Sequence, residues 1–466
     1  MLFNSFPFLI FFTSVTIAFY AINYTWRWLL LLAASCFFYA YLIPAYLLVL
    51  FLIIGIDYLA GRMIEANKGT ARRFYLGLSI LSNLVVLALF KYHDFFVENI
   101  NMLSATPLFS IWKWVLPVGL SFHTFQAMSY TIEVYKGNQK AERNLRIYAL
   151  YVMFYPQLVA GPIERPQKLL PQFYQRHPVS YDGIAAGLKF MLWGFFMKTV
   201  VADRLGIYTD YVYRNAEAHS RLALITATFF YTFQIYCDFS GYSLIAIGSA
   251  RAMGFGLTKN FNRPYLAVSF RDFWKRWNIT LSQWFRDYVF IPMGGSRVRT
   301  LRYIYNILVV FILSGLWHGA NWTFIVWGLL HGMLILFGYF KKKYLPGLVV
   351  SKSIGIITTF LIVWICWIFF RSRNIREAVT IIKRIFSPGT ISIIRGEFEE
   401  RALLVYSFAA IACIIITDLF SEYFPRRFQL LHSRRAWVRI ASCVMVIIVI
   451  LLFGVFDGSQ FIYFQF

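Results

Sequence analysis

The sequence has 466 residues, of which 59% are hydrophobic and only 14% are charged, whereas a soluble domain carries roughly 25% charged residues. This composition excludes a soluble globular domain and predicts an all-α, polytopic membrane protein. The net charge of +24 would suggest a nucleic-acid partner in a soluble protein. Here the basic residues lie in short loops between apolar runs, so the positive-inside rule explains them and we expect no nucleic acid.

Apolar runs of about membrane length follow one another along most of the chain, and a crossing helix needs ~20 such residues. Two runs, 111–135 and 241–255, are interrupted by proline, glycine or other small residues. We predict about 11–13 membrane helices, some re-entrant or of half length, in one integral domain over 1–466. The clear runs are 7–23, 28–43, 45–60, 75–91, 147–161, 184–203, 222–237, 303–317, 322–340, 353–370, 402–419 and 438–456.

The basic loops predict the orientation of the chain in the membrane. The first run has no preceding positive segment and no cleavage site, so we interpret it as a retained span that starts outside. Segment 371–400 is basic although it would then lie outside, and its apolar residues follow helical spacing, which predicts an external amphipathic helix. The loops expected in the cytoplasm are 61–73, 136–146, 340–352 and 425–439.

Segment 258–302 holds too many charges to cross a membrane. We predict an amphipathic or re-entrant helix over 272–290 on the cytoplasmic side. Polar groups at membrane depth are tolerated where protein buries them or where they line a cavity, so we expect a pocket that opens to this side. The apolar stripe of the helix would consist of Phe273, Trp277, Leu281, Trp284 and Tyr288.

His318 is an ionisable residue inside an apolar stretch. The run 303–317 is ~22 Å long as a helix, against a hydrocarbon core of ~30 Å, and Gly319 is a natural helix stop. We therefore expect His318 at the inner end of a half-length helix, where an ionisable residue predicts a functional site. Burial favours the neutral imidazole that a general base requires. The alternative is a structural histidine bonded to a carbonyl.

His331 and Asn278 are further candidates. On one continuous helix His331 would lie ~20 Å from His318, so the two would meet only if the intervening stretch breaks the helix. Otherwise His331 fits a helix–helix contact beside Gly328 and Gly332. Asn278 borders the apolar stripe, where an unpaired carboxamide is costly. It is predicted to orient His318, to hold a substrate carbonyl, or to cap a helix.

Other chemistry is weakly indicated. The five cysteines lie singly in apolar segments, so no metal site or disulfide framework is predicted. Cys237 and Asp238 are weaker candidates for a nucleophile or base, because the small residues around them also predict a helix break. The chain carries no P-loop, dinucleotide fingerprint, GxSxG or HExxH motif. We expect neither a metal nor a permanently bound cofactor.

Five blocks resemble, in this order, the signature blocks of the membrane-bound O-acyltransferase family, and the likeness is greatest to its alginate-acetylating bacterial branch. They are PVGLSFHTFQAMSYTIEVYKG (117–137), YPQLVAGPIERPQKLLPQF (155–173), FQIYCDFSGYSLIAIGSARAMGF (233–255), NFNRPYLAVSFRDFWKRWNITLSQWFRDYVFIPMGG (260–295) and SGLWHGANWTFIVWGLLHG (314–332).

The resemblance implies that His318 is the catalytic residue and that Asn278 occupies its partner position. The sequence departs here, because glycan-acetylating members commonly have RWHIS where this chain has RWNIT, and a mechanism with two histidines becomes doubtful. The implied fold is a ring of tilted helices around a funnel where a cytoplasmic donor meets an external acceptor. Accessory candidates within the blocks are His331, Trp317, Trp274, Asp287 and Arg286.

We therefore expect a multi-pass acyltransferase of the bacterial cytoplasmic membrane, surrounded by membrane lipids. The expected donor is acetyl-CoA or another acyl thioester, and the acceptor is a hydroxyl of a cell-surface polysaccharide or peptidoglycan. The family resemblance implies an exported or membrane-anchored SGNH-type partner that receives the acyl group. Alternatives are D-alanyl transfer from a carrier protein to teichoic acid, a membrane transporter, and a scaffold of an exopolysaccharide machine.

Overall fold

The computed structural model describes residues 1–456, apart from 42, 105, 113, 115, 116, 118, 160, 348, 349, 389–400, 425–430 and 432. Within these residues the secondary structure is helical and contains no strand, as predicted. The helices are α1 (Phe6–Ala21), α2 (Arg27–Ala40), α3 (Tyr46–Ala66), α4 (Gly69–Asn101), α5 (Leu120–Lys136), α6 (Leu145–Met153), α7 (Tyr181–Arg214), α8 (Arg221–Ala252), α9 (Phe270–Arg276), α10 (Ile279–Phe285), α11 (Thr300–His318), α12 (Trp322–Tyr344), α13 (Lys352–Arg371), α14 (Ile375–Phe386), α15 (Arg401–Tyr423) and α16 (Ala436–Phe453).

Nine helices in the described part of the chain are long and apolar enough to cross a membrane, and α1 is a shorter apolar helix. The protein is thus an all-α polytopic membrane protein. The predicted span 147–161 is too short in the structure, because α6 ends at Met153 and only one further turn, Tyr155–Leu158, follows it. The nine candidate spans are α3, α4, α7, α8, α11, α12, α13, α15 and α16.

The predicted break between runs 222–237 and 241–255 is wrong, because α8 is one continuous helix of 32 residues. The small residues serve close packing instead. A Cβ on Gly241 would lie 2.8 Å from the carbonyl oxygen of Gly194 and 3.1 Å from the backbone nitrogen of Lys198. Gly241 therefore lets α8 approach the backbone of α7.

The chain groups into two compact units. One contains Met1–Met191 and Ser243–Lys259, and the other contains Leu192–Tyr242 and the described part of 260–466. In the first unit, α3 packs against α4 and α5. Their contact includes a buried polar group, because the hydroxyl of Ser79 and the amide of Asn83 contact the Asp57 carboxyl at 2.5 and 2.8 Å.

The second unit carries the residues that the sequence predicts to be functional. Helices α11 and α12 form a tightly packed antiparallel hairpin, and α12 also packs against α9 and α13. The hairpin has a core of Tyr303, Ile307, Phe311 and Leu336. This core packs the first part of α11 against the second half of α12.

Segment 371–400 forms the amphipathic helix α14 up to Phe386, and residues 389–400 lie outside the described part of the chain. Its Ala378, Ile381 and Ile385 are buried within the second unit. Arg384 donates hydrogen bonds to the carbonyls of Ala216 and Glu217. The apolar face of the predicted amphipathic helix therefore packs on protein.

Candidate active site

The α11–α12 hairpin positions His318, which is the last residue of α11. The helix stops at Gly319 as predicted, but it begins at Thr300 and has 19 residues, about 28 Å. The expectation of a half-length helix is therefore wrong. A Cβ on Gly315 or Gly328 would collide with a backbone carbonyl of the opposite helix. Only glycine at these two positions lets the two helices lie so close together. This contact fixes where α11 ends.

His318 lies in an enclosure of aromatic rings. Its side chain is 2% exposed. The imidazole centroid lies 4.8 Å from Trp317, 5.1 Å from Trp327 and 5.2 Å from Phe370, with all three rings steeply inclined to it. Such edge contacts fix the orientation of the imidazole ring. The structure thus confirms that His318 is buried at a helix end.

His331 reaches the same enclosure from the neighbouring helix. The helix breaks between α11 and α12. This break is the condition under which the sequence analysis expects the two histidines to meet. The His331 ring lies 4.8 Å from Trp327 and 5.1 Å from Trp274. Trp327 therefore contacts both imidazoles. Both ring nitrogens of His331 are buried and have no hydrogen-bond partner among the described residues.

Four indoles line this region with unused donors. The indole N–H groups of Trp274, Trp277, Trp327 and Trp367 are buried and find no acceptor among the described residues. A buried indole N–H usually has a partner, and leaving one unsatisfied costs about 1–3 kcal/mol. The enclosure can therefore accept a small group that brings its own acceptor atoms, such as a carbonyl oxygen.

Asn278 stands where the predicted single helix 272–290 breaks. Helix α9 ends at Arg276 and α10 begins at Ile279, so the expectation of one continuous helix is corrected. Asn278 has φ 40 and ψ 57, in the left-handed region where asparagine is favoured among non-glycine residues. Of the predicted apolar stripe, Phe273, Trp277, Leu281 and Trp284 are buried, whereas Tyr288 is half-buried.

The Asn278 side chain is 1% exposed. Neither its amide nitrogen nor its oxygen has a hydrogen-bond partner among the described residues. The predicted bond to His318 is therefore not formed in this structure. The surrounding backbone is fixed independently, since Ile279 donates to the carbonyl of Asn260 at 2.9 Å. The hydrogen-bonding groups of the Asn278 carboxamide are therefore not used by any described residue.

A cavity of about 490 Å³ lies beside this cluster, within the range of small-molecule sites. Its wall is mostly apolar, and the basic side chains on it are Arg271, Lys275 and Arg286. Trp274 and Ser314 also line it. Trp274 contacts His331, and Ser314 lies one helical turn before His318. The sequence-predicted pocket is therefore present beside segment 258–302.

His318, His331 and Asn278 are not among the lining residues of this cavity. The cavity ends at the Trp274 indole, behind which the His331 ring lies. The expectation that a passage leads to His318 is therefore not met by this cavity.

The other accessory candidates lie in two places. Trp317 packs on His318. Arg286 and Asp287 form an ion pair of 2.7 Å with each other, and Arg286 lines the cavity. Arg286 therefore brings a cation to the cavity wall, and Asp287 balances its charge. No group of metal-binding side chains occurs among the described residues.

Sequence reasoning missed two features. The enclosing rings Trp327, Trp367 and Phe370 lie on two helices, and the only signal was the helical spacing of Trp327 and His331. The other is the buried Lys198, which pairs with Asp203 at 2.6 Å and Asp238 at 2.8 Å. Asp238, weakly predicted as a base, is thus held in an ion pair.

Comparisons with known proteins indicate the family of this chain. A sequence profile of the membrane-bound O-acyltransferase family matches residues 70–375. A peptidoglycan O-acetyltransferase of Helicobacter pylori is 32% identical over 96% of this chain and 93% of its own. A probable alginate O-acetylase, AlgI, of Pseudomonas putida is 32% identical over 100% of both chains. A teichoic acid D-alanyltransferase of Bacillus subtilis is 26% identical over 54% of this chain and 67% of its own.

The profile match includes the α11–α12 hairpin, the Asn278 turn and the cavity. The alignment with the two O-acetylating relatives covers nearly the whole chain. The chain belongs to the membrane-bound O-acyltransferase family, and the protein is a multi-pass membrane enzyme that transfers acyl groups to hydroxyls.

Proposed function

We propose that the protein transfers an acetyl group from cytoplasmic acetyl-CoA across the bacterial cytoplasmic membrane to a hydroxyl of a cell-surface polysaccharide or peptidoglycan. The observation that carries the proposal is His318, buried at a helix end among indoles, where Trp327 packs on it and also on Trp274 of the cavity wall. The two relatives that align over nearly the whole chain are a peptidoglycan and an alginate O-acetylating protein.

The cavity supports an anionic thioester donor. Arg271, Lys275 and Arg286 on its wall suit the phosphates of coenzyme A. Its apolar interior suits the pantetheine arm and the acetyl group, and its volume of about 490 Å³ is sufficient for them. In this arrangement the thioester carbonyl would approach Trp274 and the histidines behind it.

The proposed step uses His318 as general base. The imidazole takes the proton of the acceptor hydroxyl while the hydroxyl oxygen attacks the thioester carbonyl carbon. The carbon–sulfur bond then breaks, and the protonated imidazole returns its proton to the departing thiolate. An ester and a free thiol result. The unpartnered donors of Asn278, Trp274 and Trp327 would stabilise the oxyanion.

The acceptor side involves a second protein in this proposal. The expected partner is an exported or membrane-anchored SGNH-type protein that takes the acetyl group and passes it to the glycan. A surface polysaccharide is too large to enter a closed aromatic enclosure, so a small acceptor hydroxyl on a relay protein suits His318 better.

D-alanyl transfer to teichoic acid is the second candidate. The similarity to a teichoic acid D-alanyltransferase favours it, although that match covers only 54% of this chain. The acyl donor distinguishes the two, since acetylation uses acetyl-CoA and D-alanylation uses a carrier-protein thioester. Release of free coenzyme A by the purified protein would favour acetylation.

Mass analysis of surface glycans tests the proposal. Replacement of the chromosomal copy by His318→Gln is expected to lower glycan O-acetylation by about 10²–10⁴-fold, the typical contribution of a general base. His219→Gln is the matched control, because His219 is also buried in the second unit but lies outside the aromatic enclosure. Unchanged O-acetylation in a membrane-inserted His318→Gln protein would refute the assignment.

A further inference from the structure

A second cavity, of about 140 Å³, lies in the first unit. Its floor is apolar and includes Phe19, Leu31 and Leu150, whereas Tyr24, Arg27 and Asn144 bring polar atoms to its wall. This distribution matches an amphipathic molecule at a membrane interface. The cavity contains Asn144 of the basic 136–146 loop, which the sequence predicts on the cytoplasmic side.

Two helix N-termini converge on this cavity. Arg27 is the first residue of α2, and Asn144 is the N-cap of α6. The first turns of both helices contain no acidic residue, and each contains an arginine, Arg27 or Arg146. Cations at the positive ends of helix dipoles are destabilising unless an anion balances them. Exposed N–H groups at such ends bind anions directly.

Arg27 lines the cavity, and two further arginines, Arg146 and Arg176, stack on aromatic rings of its wall. Arg27 lies 4.6 Å from the Phe19 ring centroid, Arg146 lies 5.2 Å from Trp28, and Arg176 lies 5.6 Å from Tyr24. In the described part of the chain, none of the three pairs with a carboxylate. The buried Nε of Arg27 also has no acceptor there.

Glu142 bonds two residues of the cavity wall. Its carboxylate accepts the hydroxyl of Tyr174 at 2.7 Å and the backbone N–H of Asn144 at 2.9 Å. The Nε2 of His177 contacts the carbonyl of Gln172 at 2.8 Å. Because three arginines and one glutamate lie near the cavity, the net charge around it is positive.

The volume of the cavity indicates which kind of anionic ligand could bind there. About 140 Å³ is well below the roughly 300–1,000 Å³ of sites that enclose a whole small ligand. A larger ligand would therefore have to extend beyond the cavity. A phospholipid does so, because part of one acyl chain can lie on the phenylalanine floor while the phosphate meets the arginines. The cytoplasmic leaflet supplies anionic lipids.

We propose that this cavity, lined by Phe19, Tyr24, Arg27, Trp28 and Asn144, is a binding site for an anionic phospholipid. The lipid phosphate lies at the N-termini of α2 and α6, between Arg27, Arg146 and Arg176. Lipid bound there attaches the first unit to the anionic inner leaflet, and this binding is independent of the acyl-transfer reaction.

Lipid titration of the delipidated, full-length protein tests the proposal. Dioleoylphosphatidylglycerol is expected to raise the unfolding temperature saturably, and dioleoylphosphatidylcholine, inorganic phosphate and acetyl-CoA are expected to do so far less. In the Arg146→Gln/Arg176→Gln double variant, half-saturation should need roughly 30-fold more phosphatidylglycerol, the equivalent of about 1 kcal/mol for each guanidinium. Both side chains are exposed, so folding should persist.

The matched control is Arg62→Gln/Arg73→Gln, which removes two exposed arginines of the same basic side outside the cavity. It should bind phosphatidylglycerol as the parent does, and Arg146→Lys/Arg176→Lys should retain most of the affinity. Equal stabilisation by phosphatidylcholine, or an unchanged affinity in the double glutamine variant, overturns the site. Equal stabilisation by inorganic phosphate overturns its assignment to a lipid.

Discussion

Asn278 holds a left-handed backbone conformation with its carboxamide buried and unpartnered among the described residues. Backbone conformations of this kind cluster at functional sites, where the surrounding structure maintains them. The sequence identified Asn278 as a candidate because a carboxamide bordered an apolar stripe. It could not predict the broken helix, because the helical spacing of the stripe continues across Trp277 and Asn278.

The backbone and side-chain contributions of Asn278 can be separated. Asn278→Gly keeps the left-handed conformation accessible, so its stability should stay within about 1 kcal/mol of the parent. Asn278→Ala should be less stable than Asn278→Gly by roughly 1 kcal/mol. Both should lower kcat by about 100-fold if the carboxamide stabilises the oxyanion. Full activity of Asn278→Gly would show that the side chain has no catalytic part.

Lys198 is expected to be essential for stability. Lys198→Ala leaves the carboxylates of Asp203 and Asp238 buried without their cation, which should cost about 3–5 kcal/mol. Thermal unfolding in detergent measures the loss. Lys383→Ala on α14 is the control, because Lys383 is exposed in the same unit. A Lys198→Ala protein that unfolds at the parental temperature would contradict the account.

Trp274 separates the cavity from His331, so its removal should change donor selectivity. Trp274→Ala should raise the rate with butyryl-CoA relative to acetyl-CoA by about tenfold, since the pocket no longer excludes the two added methylenes. Phe290→Ala is the control, because Phe290 lines the same cavity but packs on Tyr303. An unchanged acyl preference in Trp274→Ala would show that this indole does not limit the donor.

At the level of elements, the α11–α12 hairpin creates the site. The sequence predicted that α11 ends at Gly319, since glycine follows an apolar run there. It could not predict that Trp327 would contact both His318 and His331, because apolar segments do not specify which helix faces which. The Gly241 region shows the same limit, since small residues mark a close packing contact as well as a break.

Two glycines of α12 allow the close packing of the hairpin to be tested, one as the test position and the other as the control. A Cβ at Gly328 would collide with the carbonyl of Phe311, so Gly328→Ala should destabilise the protein by about 1–3 kcal/mol. Activity should fall as well, because His331 is one turn away. Gly338→Ala on α12 meets no atom within 4 Å and should stabilise by roughly 0.5–1 kcal/mol. Equal behaviour of the two variants would contradict the close packing.

For the whole molecule, composition and apolar runs were sufficient to predict an all-α membrane protein, and nine of the predicted crossings correspond to candidate spans among the described residues. Two predictions of crossing helices were wrong. One predicted span is shorter than expected, because its helix ends at Met153, and two predicted runs form one continuous helix through Gly241. The site was predicted through His318 and Asn278. Its aromatic enclosure comes from tertiary packing that one sequence does not encode in any local pattern.

Inside-out membrane vesicles from cells of the source organism test the central claim most directly. Labelled acetyl-CoA added outside these vesicles reaches the cytoplasmic face, and label is then measured as base-labile ester on glycan in the lumen. The account predicts luminal ester label with the parental protein and a loss of about 10²–10⁴-fold with His318→Gln at equal protein level. Equal luminal label in both preparations would contradict acyl transfer by His318.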